Sequence, residues 1–232
     1  MNTIQYKLTK KAGLAILSLF ESVIRTVQLD KPFYDTSDFP WVQEVEENWE
    51  GIQKELENLL SSKEEIPNLQ DVFEEQKQLT KGDEWKSYML YFYGYRIGKN
   101  ASKCPKTEAI VKKIPGMKTA MFSILSGGKQ IKPHRGPYKG VLRYHLGLVV
   151  PTPYTDCGIR VSTETKSWNE GESLILDDTL EHEAWNNSSE NRIILFVDFQ
   201  RELPRPISWL NEVMFLLIRK SPFIKNVINR LN

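Results

Sequence analysis

The sequence has little of several things, and each shortage excludes a class of protein. Its 232 residues include 2 cysteines, Cys104 and Cys157. These are too few for a disulfide scaffold or a thiolate zinc site, so a reducing, cytoplasmic setting is expected. Lys plus Arg number 31 and Asp plus Glu 30, and this net charge of +1 argues against a dedicated nucleic-acid binder. No uncharged apolar run reaches ~18 residues, so no membrane-spanning helix is predicted.

The rest of the composition is that of an ordinary globular protein. Hydrophobic residues make up 40% of the chain and charged residues 26%, and the length suits one domain. Within it we predict a helical N-terminal segment over 1–84, a β-rich core over 85–203 and a helical tail over 204–232.

Both ends of the chain carry apolar stretches with basic neighbours. Residues 12–20 are apolar except for a serine and follow Lys7, Lys10 and Lys11. This pattern resembles a signal peptide, but no convincing signal-peptidase cleavage site comes after it, so a packed or interfacial helix is predicted. In the tail, 207–218 is apolar with a single acidic residue, and the basic residues after it are Arg219, Lys220, Lys225 and Arg230. The tail is predicted to be a helix pair that covers the core or forms a dimer contact. The alternative is peripheral contact with an anionic membrane surface.

Residues 43–75 are acidic and have a helical period. The apolar positions that recur at spacings of three and four are Val42, Val45, Trp49, Ile52, Leu56, Leu59 and Leu60. They are predicted to share one helix face, with the acidic face in solvent. A short helix is predicted over 105–114, before Pro115 and Gly116.

From Trp85 onward the pattern changes to short strands separated by turns. Strands are predicted over 88–93, 119–125, 141–150, 157–163, 173–177 and 192–199. Several short strands at such spacing are typical of a β-sandwich or a barrel.

All three histidines of the chain, His134, His145 and His182, lie in this β-rich half. His134 is predicted at a turn beside a strand, and His182 at the exit of an apolar strand. Alternation along 142–148 places Arg143 and His145 on the same strand face. Imidazoles from different strands that meet at the mouth of a sandwich suit Fe, Zn, Cu or Ni. Spacing alone leaves metal ligation and a structural role equally open.

Several motifs occur in one order. They are His134-Arg135-Gly136-Pro137, Leu142-Arg143-Tyr144-His145-Leu146-Gly147-Leu148, Lys166-Ser167-Trp168-Asn169-Glu170-Gly171-Glu172, Leu176-Asp177-Asp178-Thr179 and His182-Glu183-Ala184-Trp185-Asn186. Together they resemble the aspartyl/asparaginyl β-hydroxylase family of Fe(II)- and 2-oxoglutarate-dependent dioxygenases. Trp85-Lys86, Tyr93-Gly94 and Cys104-Pro105-Lys106-Thr107 are also similar to a branch that hydroxylates the acyl chains of lipid A. The resemblance implies a mainly β fold with flanking helices and a double-stranded β-helix core, the cupin-like jelly roll.

The resemblance also implies a metal site. By motif position, His134 and His182 would be the iron ligands. The position where most such oxygenases carry a ligand carboxylate is Gly136, so water would take the third place. Asp177 and Asp178 lie shortly before His182 and are expected to cap the turn.

A cosubstrate site is implied in the same way. Arg192 would bind the distal carboxylate of 2-oxoglutarate, helped by Ser123. Arg143 and His145 would contact the carboxylate nearer the metal, and Arg143 joins the two iron ligands in the catalytic set. The residue types agree, because a dicarboxylate needs a cation at each end and Arg binds carboxylate bidentately.

The expected activity is hydroxylation of a C–H bond with Fe(II), 2-oxoglutarate and O2, releasing succinate and CO2. Peptidyl Asp or Asn, a free amino acid and a lipid acyl chain are all open as substrates. One alternative is a halogenase that admits chloride at the empty ligand position. Another is a non-catalytic, cupin-like metal-binding module, which has no need of a dicarboxylate clamp.

Overall fold

A computed structural model describes residues 3–62, 65–72 and 84–231, and within these ranges eleven strands form two antiparallel sheets. The strands are β1 (Phe33–Tyr34), β2 (Trp85–Phe92), β3 (Tyr95–Arg96), β4 (Met117–Leu125), β5 (Lys129–His134), β6 (Val141–Val149), β7 (Cys157–Val161), β8 (Glu164–Ser167), β9 (Ser173–Leu176), β10 (His182–Asn186) and β11 (Arg192–Gln200). The helices are α1 (Thr3–Val27), α2 (Trp41–Glu47), α3 (Trp49–Ser61), α4 (Leu69–Val72), α5 (Gly98–Ala101), α6 (Pro105–Val111), α7 (Ile207–Arg219) and α8 (Pro222–Leu231).

The strand order identifies the fold. The large sheet runs β1-β9-β6-β11-β4-β2-β3 and the small sheet runs β5-β10-β7-β8. Strands β4 to β11 therefore divide into two four-stranded halves, β9-β6-β11-β4 and β5-β10-β7-β8, and successive strands pass from one to the other except between β7 and β8. This is the order of an eight-stranded jelly roll, the double-stranded β-helix. The predicted fold class, mainly β with flanking helices, is confirmed.

The predicted strands fall on β2, β4, β6, β7, β9 and β11; besides the two-residue strands β1 and β3, the sequence reading missed β5, β8 and β10. Those three strands all belong to the small sheet, whose outer face is open to solvent. Burial in β5 is limited to Ile131, and β8 is wholly polar. An antiparallel sheet with one wet face needs apolar residues only at alternate positions, so short strands of this kind carry little apolar signal. His182 follows β9 and its acidic turn as predicted, and it is the first residue of β10, a strand that was not predicted.

The helices of the acidic segment cover the outer face of the large sheet. Val42, Val45, Ile52, Leu56 and Leu59 are buried in one cluster with the outward side chains of β6. Leu60 was expected on the same face, but 45% of it is exposed, because it lies one residue beyond the apolar stripe. The segment is also divided, with α2 ending before Asn48 and α3 beginning after it. Residues 63–64 and 73–75 of this prediction lie outside the described part of the chain.

The predicted helical tail consists of α7 and α8. One face of α7 is buried through Ile207, Asn211 and Phe215, in a cluster that also contains Phe20 and Ile24 of α1. Among the described helices, none combines the length and hydropathy needed to span a bilayer. The division at 84/85 and 203/204 stays a prediction.

A buried ion cluster ties the end of α1 to the strands. Asp177, just after β9, lies 2.7 Å from Lys139 Nζ and 2.8 Å from Arg201 Nη2, and none of these three side chains is exposed. Lys139 also lies 2.8 Å from Asp30, which follows α1. Two buried cations therefore depend on the Asp177 carboxylate.

We expect Asp177→Ala to lower the free energy of unfolding by roughly 3–5 kcal/mol, because it leaves the buried Arg201 with no carboxylate of the described residues and leaves Lys139 with Asp30 alone. Urea unfolding measures this. The matched control is Glu57→Ala, which removes the 3.1 Å pair with Lys54 on the surface and should cost under about 1 kcal/mol. Equal losses in the two variants would contradict the role given to Asp177.

Candidate active site

All six residues predicted for the site line one cavity between the two sheets. They are Ser123, His134, Arg143, His145, His182 and Arg192. The empty space measures about 400 Å³, counting the part that opens to solvent. The sequence reading gave no role to the rest of the lining, which is mostly apolar: Trp85, Ile131, Ile159, Trp168, Ala184, Ile194 and Phe196. The available signal for the lining residues on strands is the alternation of inward-facing and outward-facing side chains along each strand. For the residues of the small sheet, this signal could be used only after that sheet had been recognised.

Strand pairing brings the two predicted ligands together. His134 ends β5 and His182 opens β10, and the two residues are register partners in the antiparallel pair. Their ring centroids lie 4.1 Å apart with the planes at 50°. Each Nδ1 contacts a carbonyl oxygen two residues earlier, Lys132 O at 2.7 Å and Leu180 O at 3.0 Å. A carbonyl only accepts, so we assign the proton to Nδ1 in both rings, which leaves each Nε2 lone pair free to ligate a metal.

Both imidazoles are held in the neutral form. Burial lowers the pKa of His134. Burial, together with the nearby His134 and the charge of Arg143, lowers the pKa of His182 to about 3. Neutral imidazole is the form that ligates a metal, so the pair needs to release no proton on binding. Among the described residues no third His, Cys, Asp or Glu completes a metal-binding group with them.

A glycine and a carboxylate share the place where a third ligand would be expected. The amide of Gly136 donates to the carbonyl of Asp178 at 2.7 Å. A Cβ built on Gly136 would lie 2.0 Å from Asp178 Oδ2. Asp178 therefore fills the space that a side chain at 136 would need. Burial, with Asp198 and Asp177 nearby, raises the pKa of Asp178 to about 6.

Arg143 is already engaged by carboxylates. Its Nη2 lies 2.8 Å from Asp178 Oδ2 and its Nε 3.0 Å from Asp198 Oδ1, with the guanidinium 4.2 Å over the ring of Phe196. Asp178 was expected to cap the turn before His182, and this is wrong, because its side chain reaches Arg143 across the sheet. Asp177 does cap that turn, since it accepts a hydrogen bond from the amide of Thr179 at 3.1 Å.

Arg192 has the opposite environment. It is 1% exposed at the start of β11, and its guanidinium lies 4.4 Å over the ring of Trp168. Its Nε is buried without a hydrogen-bond partner in the described structure. Burial lowers its pKa to about 10, so it is still charged near neutral pH. A buried cation without an anion is costly, and such a group is suited to an anionic ligand.

His145 and Ser123 complete the polar lining. Both ring nitrogens of His145 are buried and find no hydrogen-bond partner in the described ranges. Burial, and then Arg143 and Arg192, hold its pKa well below the usual range. Ser123 Oγ accepts a hydrogen bond from Trp85 Nε1 at 2.9 Å. Among the described residues, the cavity thus offers the guanidinium of Arg192, which pairs with no carboxylate, a neutral imidazole and a hydroxyl on an apolar wall.

The jelly roll thus encloses a candidate metal site with two neutral histidines and an arginine that pairs with no carboxylate of the described residues. Sequence comparison places the chain in a class of enzymes. The family model for aspartyl/asparaginyl β-hydroxylases matches residues 46–202. The chain therefore belongs to the aspartyl/asparaginyl β-hydroxylase family, a family of hydroxylases.

Two relatives represent different branches. An ornithine lipid ester-linked acyl 2-hydroxylase of Rhizobium tropici is 45% identical over 194 residues, which are 84% of this chain and 69% of that protein. Human aspartyl/asparaginyl β-hydroxylase is 36% identical over 162 residues, which are 68% of this chain and 20% of that protein. A cupin domain of an Enterobacter cloacae transcriptional regulator superposes on 51% of this chain and 99% of its own, with a TM-score of 0.36 at 10% identity. The fold assignment rests on the strand order and not on that superposition.

We expect Gly136→Asp to give no gain in turnover, since the new side chain would displace Asp178 and disturb its pair with Arg143. For the same reason Gly136→Ala should lower stability by about 1–3 kcal/mol, the usual cost of overpacking. The control is Gly51→Ala, where the added Cβ would meet Lys106 at an ordinary 3.7 Å. Thermal unfolding of both alanine variants and turnover of Gly136→Asp test this, and a several-fold activity gain would show that a third ligand is simply missing.

The pKa of His182 makes a prediction for the metal-free protein. An unfolded histidine titrates near 6.5, whereas the native His182 titrates near 3. Between these pH values the unfolded chain binds a proton that the native chain does not. The contribution of His182 to stability is therefore complete above pH 6.5 and is lost as pH falls toward 3. From pH 7 to about pH 5 the loss is roughly 2 kcal/mol.

Urea unfolding of wild type and His182→Gln in the presence of a chelator measures that contribution. The wild type should lose more stability than the variant over this interval, by the stated amount. The same pH dependence in both proteins would mean that folding does not lower the pKa of His182.

Proposed function

We propose that this protein is an Fe(II)- and 2-oxoglutarate-dependent hydroxylase that acts on an acyl chain of a membrane lipid. The observation that carries the proposal is the pairing of His134 with His182 in one cavity with Arg192, a buried cation that pairs with no carboxylate in the described ranges. The first two would hold the metal and the third the cosubstrate. When bound, Fe(II) and 2-oxoglutarate supply the activation of O2, with succinate and CO2 as by-products.

The histidine pair fits iron in several respects. The two rings are neutral, their Nδ1 protons are engaged by carbonyls, and strand pairing fixes them before metal arrives. Hydrogen bonds of this kind orient ligating imidazoles and raise their basicity. Two protein ligands leave more positions for cosubstrate, O2 and water than a full triad does.

The cosubstrate fits the polar lining of the same cavity. Arg192 would receive the distal carboxylate, and Ser123 would donate a hydroxyl hydrogen bond to it. Arg143 was predicted to contact the carboxylate near the metal, but its two carboxylate partners favour a positioning role. His145 is the unengaged donor at that end, because one of its ring nitrogens carries a proton that has no acceptor.

The apolar wall and the 45% identity to an acyl 2-hydroxylase favour an acyl chain over an aspartyl side chain or a free amino acid. The carboxylate of Asp178 beside Gly136 favours hydroxylation over halogenation, since a second anion there would be repelled. A non-catalytic module is disfavoured by Arg192, because nothing in such a module requires a buried, unpaired cation.

The test begins with anaerobic titration of the Fe(II) protein with 2-oxoglutarate, followed by absorption. We expect a saturable cosubstrate band in wild type, no band in His134→Ala or His182→Ala, and at least about a hundredfold weaker cosubstrate binding in Arg192→Ala, from the cost of breaking a buried charge pair. Arg160→Ala is the matched control, because Arg160 pairs with Glu183 at 2.6 Å on the small sheet and does not line the cavity.

Turnover is tested by mass spectrometry. Lipid extracts supplied with enzyme, 2-oxoglutarate and O2 should gain one oxygen on an acyl chain, with matching succinate release. Gain of one oxygen in peptide or amino-acid fractions instead would replace the lipid substrate. Full turnover in a histidine variant would remove the proposed metal site.

A further inference from the structure

We propose that the exposed face of α7 docks this protein on an anionic lipid bilayer and holds the cavity beside the membrane. This docking face consists of Trp209, Leu210, Leu216 and Leu217. The role of this docking face in catalysis rests on the proposed lipid substrate. The docking face itself is inferred from the exposure, charge and contacts of its residues.

The docking face is strongly apolar and open. Trp209 is 63% exposed, Leu216 50% and Leu217 61%. The opposite face of α7 is packed through Ile207 and Phe215. An amphipathic helix usually buries its single apolar stripe against the protein core. On α7 a second apolar stripe remains in contact with water, and such a surface usually marks an interaction site.

A second helix also exposes apolar side chains. Ile16 and Leu19 of α1 are 54% and 69% exposed, while Phe20 and Ile24 of the same helix are buried. The buried residues of α1 belong to the cluster that anchors α7. Two helices fixed through one cluster thus both present apolar side chains outward.

Charge identifies the partner as an anionic bilayer. Lys220, the exposed C-cap residue of α7, lies eleven residues after Trp209 and so continues the direction of the exposed stripe. Lys225 follows on α8 and is exposed, and residues 219–232 contain no acidic side chain. Basic residues beside an apolar stripe with a tryptophan are typical of interfacial helices. A second copy of the chain would bring like charges together across a two-fold contact, so it fits less well.

The docking helix is fixed to the loop that leaves the candidate site. Tyr138, four residues after His134, donates a hydrogen bond from its hydroxyl to the carbonyl of Asn211 on α7 at 3.1 Å. Asn211 Nδ2 in turn donates to the carbonyl of Gly140 at 2.8 Å. Gly140 has no room for a side chain, because a Cβ there would lie 2.0 Å from Asn211 Oδ1. The loop from 135 to 140 is therefore held against the inner side of the helix whose outer side we assign to the membrane.

This arrangement suits a substrate that stays in the bilayer. If the cavity lies next to the membrane, the acyl chain passes from the bilayer into the cavity with little exposure to water. The free-energy cost of exposing apolar surface to water is therefore small. The helix that binds the surface also orients the loop beside His134, which keeps the cavity at a fixed position relative to the membrane.

The test is co-sedimentation of the full chain with vesicles of phosphatidylcholine and phosphatidylglycerol in equal parts, at low salt. Wild type should bind, and should bind less to phosphatidylcholine alone or at high salt, because salt screens exposed charges. The triple variant Trp209→Ser/Leu216→Ser/Leu217→Ser should bind at least about tenfold more weakly, since each side chain contributes apolar area to the contact. The matched control, Leu60→Ser, changes a leucine that is 45% exposed on α3 and should bind like wild type.

Two further measurements separate this inference from the proposed function. In the triple variant, anaerobic cosubstrate binding and hydroxylation of detergent-dispersed lipid should equal wild type, while hydroxylation of vesicle lipid falls with vesicle binding. If wild type binds vesicles but oxidises no lipid in detergent, the docking face stands and the lipid hydroxylase proposal fails.

The docking face is overturned by wild type that ignores anionic vesicles at low salt, or by a triple variant that binds them as well as wild type does. It is also overturned if light scattering shows a wild-type dimer that the triple variant converts to a monomer without any vesicle binding. That result would assign the face to a second copy of the chain.

Discussion

The antiparallel pairing of β5 with β10 is the constraint on which the candidate site depends. It makes His134 and His182 register partners, although a long stretch of chain separates them. Neither strand is strongly apolar, and β10 is held on its other side by β7. The small sheet as a whole thus fixes the two rings, and the large sheet supplies Ser123, Arg143, His145 and Arg192 from three adjoining strands.

The neighbouring carboxylates of Asp177 and Asp178 have different roles, one in the stability of the fold and the other in the cavity. Asp177 turns into the buried cluster with Lys139 and Arg201, which connects the end of α1 to the strands. Asp178, the next residue, turns to Arg143 and fills the space beside Gly136. A change at either residue would therefore be felt by different parts of the molecule, one through folding and the other through the cavity.

Desolvation sets the charge state of the cavity. Burial keeps all three histidines neutral and lowers the pKa of Arg192, but not enough to discharge it. Arg143 behaves differently, because the carboxylates of Asp178 and Asp198 outweigh its burial and raise its pKa. The free positive charge in the cavity is thereby placed at Arg192, beside Trp168. This uneven distribution suits an anionic group bound at the start of β11, as the proposed function requires.

The sequence by itself determined the family, the mainly β class, β7, the strands of the large sheet other than the two-residue β1 and β3, and the six residues that share the cavity. These were accessible because apolar alternation and ordered motifs are local properties of the chain. Only the tertiary structure decided that Asp178 binds Arg143, that Leu60 points to solvent, and that β5, β8 and β10 join β7 in the second sheet. Those features depend on which residues meet across sheets, and the free energy of a short, half-exposed strand comes from its neighbours and not from its own composition. The same reason applies to α7, whose sequence is apolar nearly all round, because only packing against α1 and the 135–140 loop decided which of its faces remains exposed.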